Sequence, residues 1–92
     1  MSINNKMSII QKLRRLRTNY PDTIFLFRCD GAYEMYDEDT LEAKKILGLE
    51  SEEKDGVKFI QFGHNELDSY LPLLIRRSTK RIAISDVLDK NK

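Results

Sequence analysis

The feature that most constrains this chain is Asp30-Gly31, set between two runs of strand-forming residues, "TIFLFRC" (23–29) and "AYEMY" (32–36). A two-residue connection between antiparallel strands needs positive φ at both turn positions, and Asp-Gly is among the few pairs that accept it. Residues 23–29 and 32–36 therefore read as one hairpin. The first run is apolar without alternation, as expected of a strand covered on both faces.

Helices fill the intervals. Ile9, Ile10, Leu13, Leu16 and Tyr20 recur at spacings of three and four, and Ser8 and Gln11 stand in capping-box register, so the pattern predicts a helix over about 9–19 that Pro21 stops. Asp39 and Glu42 repeat the capping spacing, with Lys44 and Lys45 in the last turn and Gly48 beyond; a second helix is predicted over 40–47. "ESEEKDG" reads as a polar loop and "VKFIQF" as the third strand. Asn65 is placed to cap a third helix carrying Leu67, Tyr70, Leu71, Leu74 and Ile75, with a kink or a distinct first turn expected from Pro72. "RIAIS" closes the series as a strand. The expected fold class is α/β, a small mixed sheet of about four strands with three helices in the order α-β-β-α-β-α-β.

Ninety-two residues suit one domain over 1–92, with ends at 1–6 and 89–92 expected to fray. No run approaches the roughly 18 apolar residues of a membrane span, and "MSINNKMS" lacks the apolar core of a secretory signal, so a cytoplasmic protein without membrane contact is expected.

Enzymatic readings lack parts. Gly31, Gly48, Gly56 and Gly63 do not assemble G-x-x-x-x-G-K-[ST], which removes the P-loop route to ATP. The single histidine, His64, cannot build a His-rich metal site, and Cys29, the one cysteine, sits on an apolar strand that favours a structural thiol over a nucleophile. No cofactor or metal is implied.

Charge is unevenly spread. Residues 30–55 hold ten acids against three lysines, a local balance of −7 within a chain of net charge +1, and basic clusters lie at "KLRRLR" (12–17) and "RRSTKR" (76–81). Either cluster could meet phosphates, but the solvated face of an amphipathic helix is the commoner explanation of such a run.

Two stretches, "YPDTIFLFRCDGAYEMYDEDTLEAKKILGL" and "FGHNELDSYLPLLIRRSTKRIAISDVL", occur in the order and element pattern of a known family. From about Tyr20 to Leu88 the chain resembles the N-terminal mismatch-recognition domain of the MutS family of DNA mismatch-repair proteins. That domain carries a Phe-x-Glu motif whose Phe stacks on a mispaired base from the minor groove while the Glu hydrogen-bonds it.

In this register Ala32 takes the Phe position, Tyr33 the x and Glu34 the Glu. The pleat then puts Ala32 and Glu34 on one face, expected to meet water side by side, and turns Tyr33 toward the core. The turn is Asp-Gly where the family usually has Gly-Asp, the loop before the third strand is short, Gly63 takes the place of a loop proline, and Asn65 that of a common histidine.

The family's connector, lever, clamp and ATPase domains have no counterpart here, so no ATP is expected on this chain. The resemblance implies a stand-alone module for double-stranded DNA, mismatched or not, contacting it through Arg28, Gly31, Ala32, Glu34 and His64. A protein-interaction module docking through the acidic hairpin and second helix is the competing reading, and a scaffold that has kept the fold without the binding is a third.

Overall fold

The structure, a computed structural model, describes residues 5–86. Its elements are α1 (Asn5–Asn19), β1 (Thr23–Cys29), β2 (Ala32–Tyr36), α2 (Asp39–Leu47), β3 (Glu52–Lys54), β4 (Val57–Gly63), a 3-10 turn (His64–Glu66), α3 (Leu67–Arg77) and β5 (Arg81–Asp86). The strands form one mixed sheet in the order β3-β4-β2-β1-β5, in which only β1 and β5 run parallel.

The hairpin lies where the turn dipeptide places it. Asp30 and Gly31 have φ of 41° and 78°, and Cys29 faces Ala32 across the two-residue turn. The same chemistry recurs at Asp55-Gly56, with φ of 55° and 78°, joining β3 to β4. The "ESEEKDG" segment is thus a short edge strand and a tight turn rather than a loop, which raises the strand count to five.

The sheet is covered on both faces. Ile9, Ile10 and Leu13 of α1 pack on Phe25, Phe27, Tyr36, Val57 and Phe59. On the other face Ala43 of α2 and Leu74 of α3 pack with Ile24, Leu26, Tyr33, Met35, Ile60 and Phe62. Every residue from Thr23 to Phe27 is buried, as the unbroken apolar run requires.

Helix boundaries depart from the sequence reading in three places. First, α1 begins at Asn5, ahead of the Ser8 register; residues 1–4 and 87–92, which take in most of the two ends expected to fray, lie outside the described residues. Second, Asp39 does not cap α2. The helix starts at Asp39 itself, and its carboxylate Oδ2 instead accepts from the Phe25 amide at 3.1 Å and from Arg17 Nη2 at 3.2 Å. Third, Asn65 lies within the 3-10 turn, where the Gly63 N–H donates to Glu66 Oε1 at 2.9 Å; α3 follows and continues through Pro72.

Asp39 fills a gap in the sheet. The pairing of β1 with β2 covers only Phe27, Arg28 and Cys29, whereas β2 pairs with β4 along its whole length. Below Phe27 the two strands part, and the Asp39 carboxylate takes the Phe25 N–H. Arg17 completes the tie by donating to the Thr23 carbonyl at 2.9 Å, with its guanidinium 5.7 Å from the centre of the Phe25 ring. No helix among the described residues is long and apolar enough to cross a membrane.

Replacing Asp39 by Ala strands a buried N–H and a half-buried guanidinium, and should cost about 3 kcal/mol or more in chemical denaturation. Asp39→Asn keeps an acceptor for Phe25 and should cost less. Burial raises the Asp39 pKa above the usual aspartate value against the pull of the Phe25 N–H and Arg17. A raised folded pKa means stability present below the unfolded value of 3.8 and lost as pH rises through the folded one. The Asn variant should lack that slope in an acid-range stability titration.

Candidate nucleic-acid interface

The β1–β2 turn and the start of the 3-10 turn meet at one end of the sheet. The His64 amide donates to the Gly31 carbonyl at 2.9 Å, and Ala32 faces Gly63 across β2 and β4. Four of the five residues named from the sequence, Arg28, Gly31, Ala32 and His64, thereby gather at this end. Arg28, Gly31 and His64 are exposed and Ala32 is half-buried.

They do not all share a face. Arg28 lies opposite Tyr33, on the α2 and α3 side, while Ala32 stands beside Cys29 and Gly63 on the α1 side. Tyr33 is buried and stacks on Phe62 with ring centres 5.8 Å apart, as the expected register required.

Glu34 corrects the expectation. Its side chain is on the same face as Ala32 but only 4% of the residue is exposed, so the two do not meet water side by side. The reason is topological: β2 is an inner strand, and Glu34 sits between Phe27 of β1 and Gln61 of β4. One carboxylate oxygen accepts from the Tyr36 hydroxyl and the other from Gln61 Nε2 at 3.2 Å. A hairpin considered alone has two open sides; this one is closed by a long-range partner.

Tyr36 is held on all sides, edge-on to Phe27 at 5.9 Å and stacked on Phe59 at 6.1 Å. Burial, reinforced by the hydrogen bond to Glu34, raises its pKa well above the ordinary tyrosine value. The hydroxyl therefore stays protonated and keeps donating. Gln61 and Tyr36 were missed by sequence reasoning. The spacing of Glu34 and Tyr36 on one strand face was a usable signal; Gln61 had none, since the β2–β4 register is non-local.

The basic clusters do not converge here. Arg17 turns inward to Asp39, leaving Arg14 and Arg15 as the exposed arginines of α1. "RRSTKR" leads into β5, and Arg81 pairs with Thr23 at the far end of β1 from the turn. Seven strand residues separate the two ends by about 20 Å. Cys29 is half-buried rather than enclosed.

A family model described as MutS domain I matches residues 7–92. The chain belongs to the MutS domain I family. Three proteins named "DNA mismatch repair protein MutS" illustrate the likeness. That of Parabacteroides distasonis is 42% identical over 82 residues, that of Bacteroides thetaiotaomicron 39% over 82, and that of Phocaeicola vulgatus 37% over 89. These alignments cover 84%, 84% and 91% of this chain and 9%, 9% and 10% of the relatives, so the chain spans about a tenth of their length.

Within this MutS domain I, Tyr36→Phe keeps the ring packing but leaves the buried Glu34 short of a donor, and should cost about 1–3 kcal/mol in urea denaturation. The raised Tyr36 pKa contributes stability that is intact below the unfolded value of 10.0 and is lost as pH rises above it. The variant should show a flatter decline on the alkaline side.

Proposed function

We propose that this chain is a non-enzymatic DNA-binding module of the MutS domain I type. It works in the cytoplasm and meets double-stranded DNA through the sheet end that carries Arg28, Gly31, Ala32 and His64, with Glu34 beneath. Family membership supports DNA as the partner, and the mismatch-repair names of the relatives support the same direction.

The observation that carries the finer reading is the pair Ala32 and Glu34. A methyl group at position 32 offers no stacking surface, where an aromatic ring on a base is typically worth about 1–3 kcal/mol. Glu34 is held by Tyr36 and Gln61, and a base edge reaches its carboxylate only when the exposed Gln61 side chain swings away. Both features weaken mismatch reading and leave backbone contact, with Arg28 as the cation at the turn and Asp30 as its acidic neighbour. Such binding is weak, dependent on salt and indifferent to sequence.

A second reading has its own support. The β3–β4 hairpin exposes Glu52, Glu53 and Asp55, and α2 exposes Leu41 at 62% beside Glu38 and Glu42. An exposed apolar residue flanked by Glu38 and Glu42 suits a basic protein partner.

Fluorescent duplexes with and without a mismatch, titrated over a range of salt, separate the two. The DNA reading expects affinity to fall with salt at a log–log slope of about −1 to −3, with little preference for the mismatch. Absence of binding at millimolar protein would leave the protein-partner reading. Ala32→Phe should raise mismatch discrimination by about fivefold to a hundredfold through added stacking; no gain would mean that the surrounding geometry, beyond the ring, is unsuited to a base.

A further inference from the structure

The two edges of the sheet are built differently. At one edge, β3 is three residues long and consists of Glu52, Glu53 and Lys54, all exposed. Short length and charge are the devices by which edge strands avoid pairing with other chains. At the other edge, β5 has six residues with Ile82-Ala83-Ile84-Ser85 in the middle and neither charge nor proline among those four. Among the described residues β1 is the one strand neighbouring β5.

Apolar surface continues from this edge onto both layers. On the α3 side a groove of about 450 Å³ is lined by Leu71, Ile75, Ile82 and Ile84, with Lys80 and Arg81 at one end of the strand. On the α1 side a groove of about 360 Å³ runs along Leu16, Tyr20, Phe25 and Ala83. Three of the four large hydrophobic residues exposed among the described residues border the edge: Tyr20 at 56%, Ile75 at 61% and Ile84 at 46%.

We propose that β5 pairs antiparallel with β5 of a second copy of this chain, extending the sheet across a two-fold axis. The occupant is argued from register and area. A two-fold axis perpendicular to a continuous sheet brings residues of like parity into opposition, because successive side chains alternate between faces. Centring on Ala83 places Ala83 on itself, Ile82 opposite the second copy's Ile84, and Arg81 opposite its Ser85.

Moving the centre by one residue toward the C-terminus opposes Ile82 to Asp86 in sequence and loses the apolar match. The Ala83 register also keeps the two Arg81 residues roughly 13 Å apart along the strands.

The strand is about 20 Å long and the three layers are together roughly 25 Å thick, giving about 500 Å² per copy and about 1,000 Å² for the pair. That is the lower bound of a specific interface, and it fits a reversible dimer in the micromolar range. The two β1–β2 turns point in opposite directions in this arrangement, since β1 runs parallel to β5.

Sedimentation velocity on the full chain from micromolar to millimolar concentration tests this. A monomer–dimer equilibrium is expected, weakened roughly tenfold or more by Ile84→Lys or Ile75→Lys, each at an exposed position that tolerates the charge in the monomer. Leu41→Lys, on α2, should leave it unchanged. For register, in a Cys29→Ser background, Ala83→Cys should cross-link two copies on oxidation, because opposed Cβ atoms lie about 5 Å apart; Ser85→Cys should not.

A chain that stays monomeric throughout overturns the proposal. So does a dimer indifferent to Ile84→Lys, or one that cross-links through Ser85→Cys in preference to Ala83→Cys. None of these readouts involves DNA, so the outcome is independent of the DNA-binding reading.

Discussion

One buried carboxylate, that of Asp39, joins three elements that have no covalent reason to meet. Its Oδ2 takes the Phe25 N–H where β1 leaves β2, and it takes a guanidinium N–H from Arg17, which also donates to the Thr23 carbonyl. An unpaired backbone N–H in the middle of a sheet is costly, and here a side chain replaces the missing strand partner. Because the same carboxylate anchors Arg17, the tilt of α1 on the sheet, the divergence of β1 from β2 and the start of α2 are fixed together. Its other oxygen, Oδ1, has no partner among the described residues, and burial is the largest influence on its pKa.

That divergence shapes the candidate site. Above Phe27 the strands β1, β2 and β4 lie in continuous register, so the row Cys29, Ala32 and Gly63 presents small side chains at the sheet end, and the row beneath presents Phe27, Glu34 and Gln61. The Tyr36 hydroxyl and the Gln61 amide hold the Glu34 carboxylate from two sides. An acid in this position is a satisfied polar group within the sheet before it is a reader of anything outside it.

The sheet's asymmetry is the other consequence of the topology. One edge ends in a charged three-residue strand on a tight Asp55-Gly56 turn. The other is the single parallel strand, delivered by α3 and flanked by apolar side chains from both helical layers. Among the described residues, the charged three-residue edge is protected against strand addition and the β5 edge has β1 as its one strand neighbour.

Local chemistry in the sequence was enough to set the hairpin, the buried character of "TIFLFRC", the end of α2 at Gly48, the element order and the family. The first three depend on residues within a few positions of one another: a turn that needs positive φ, an apolar run without alternation, a glycine at a helix end. The second Asp-Gly turn was equally legible at 55 and 56, and was obscured by the charge of its neighbours. What only the tertiary structure decided concerns pairs distant in the chain. Asp39 looked like a helix cap because the gap beside Phe25 arises from where β1 and β2 part. Glu34 looked exposed because its cover comes from β4, some 27 positions away at Gln61. Each basic cluster looked able to meet phosphates, until the fold set one of them at the far end of the sheet and drew Arg17 inward. Turn and helix preferences are local free energies, whereas burial is fixed by which strands become neighbours, and that choice belongs to the whole chain.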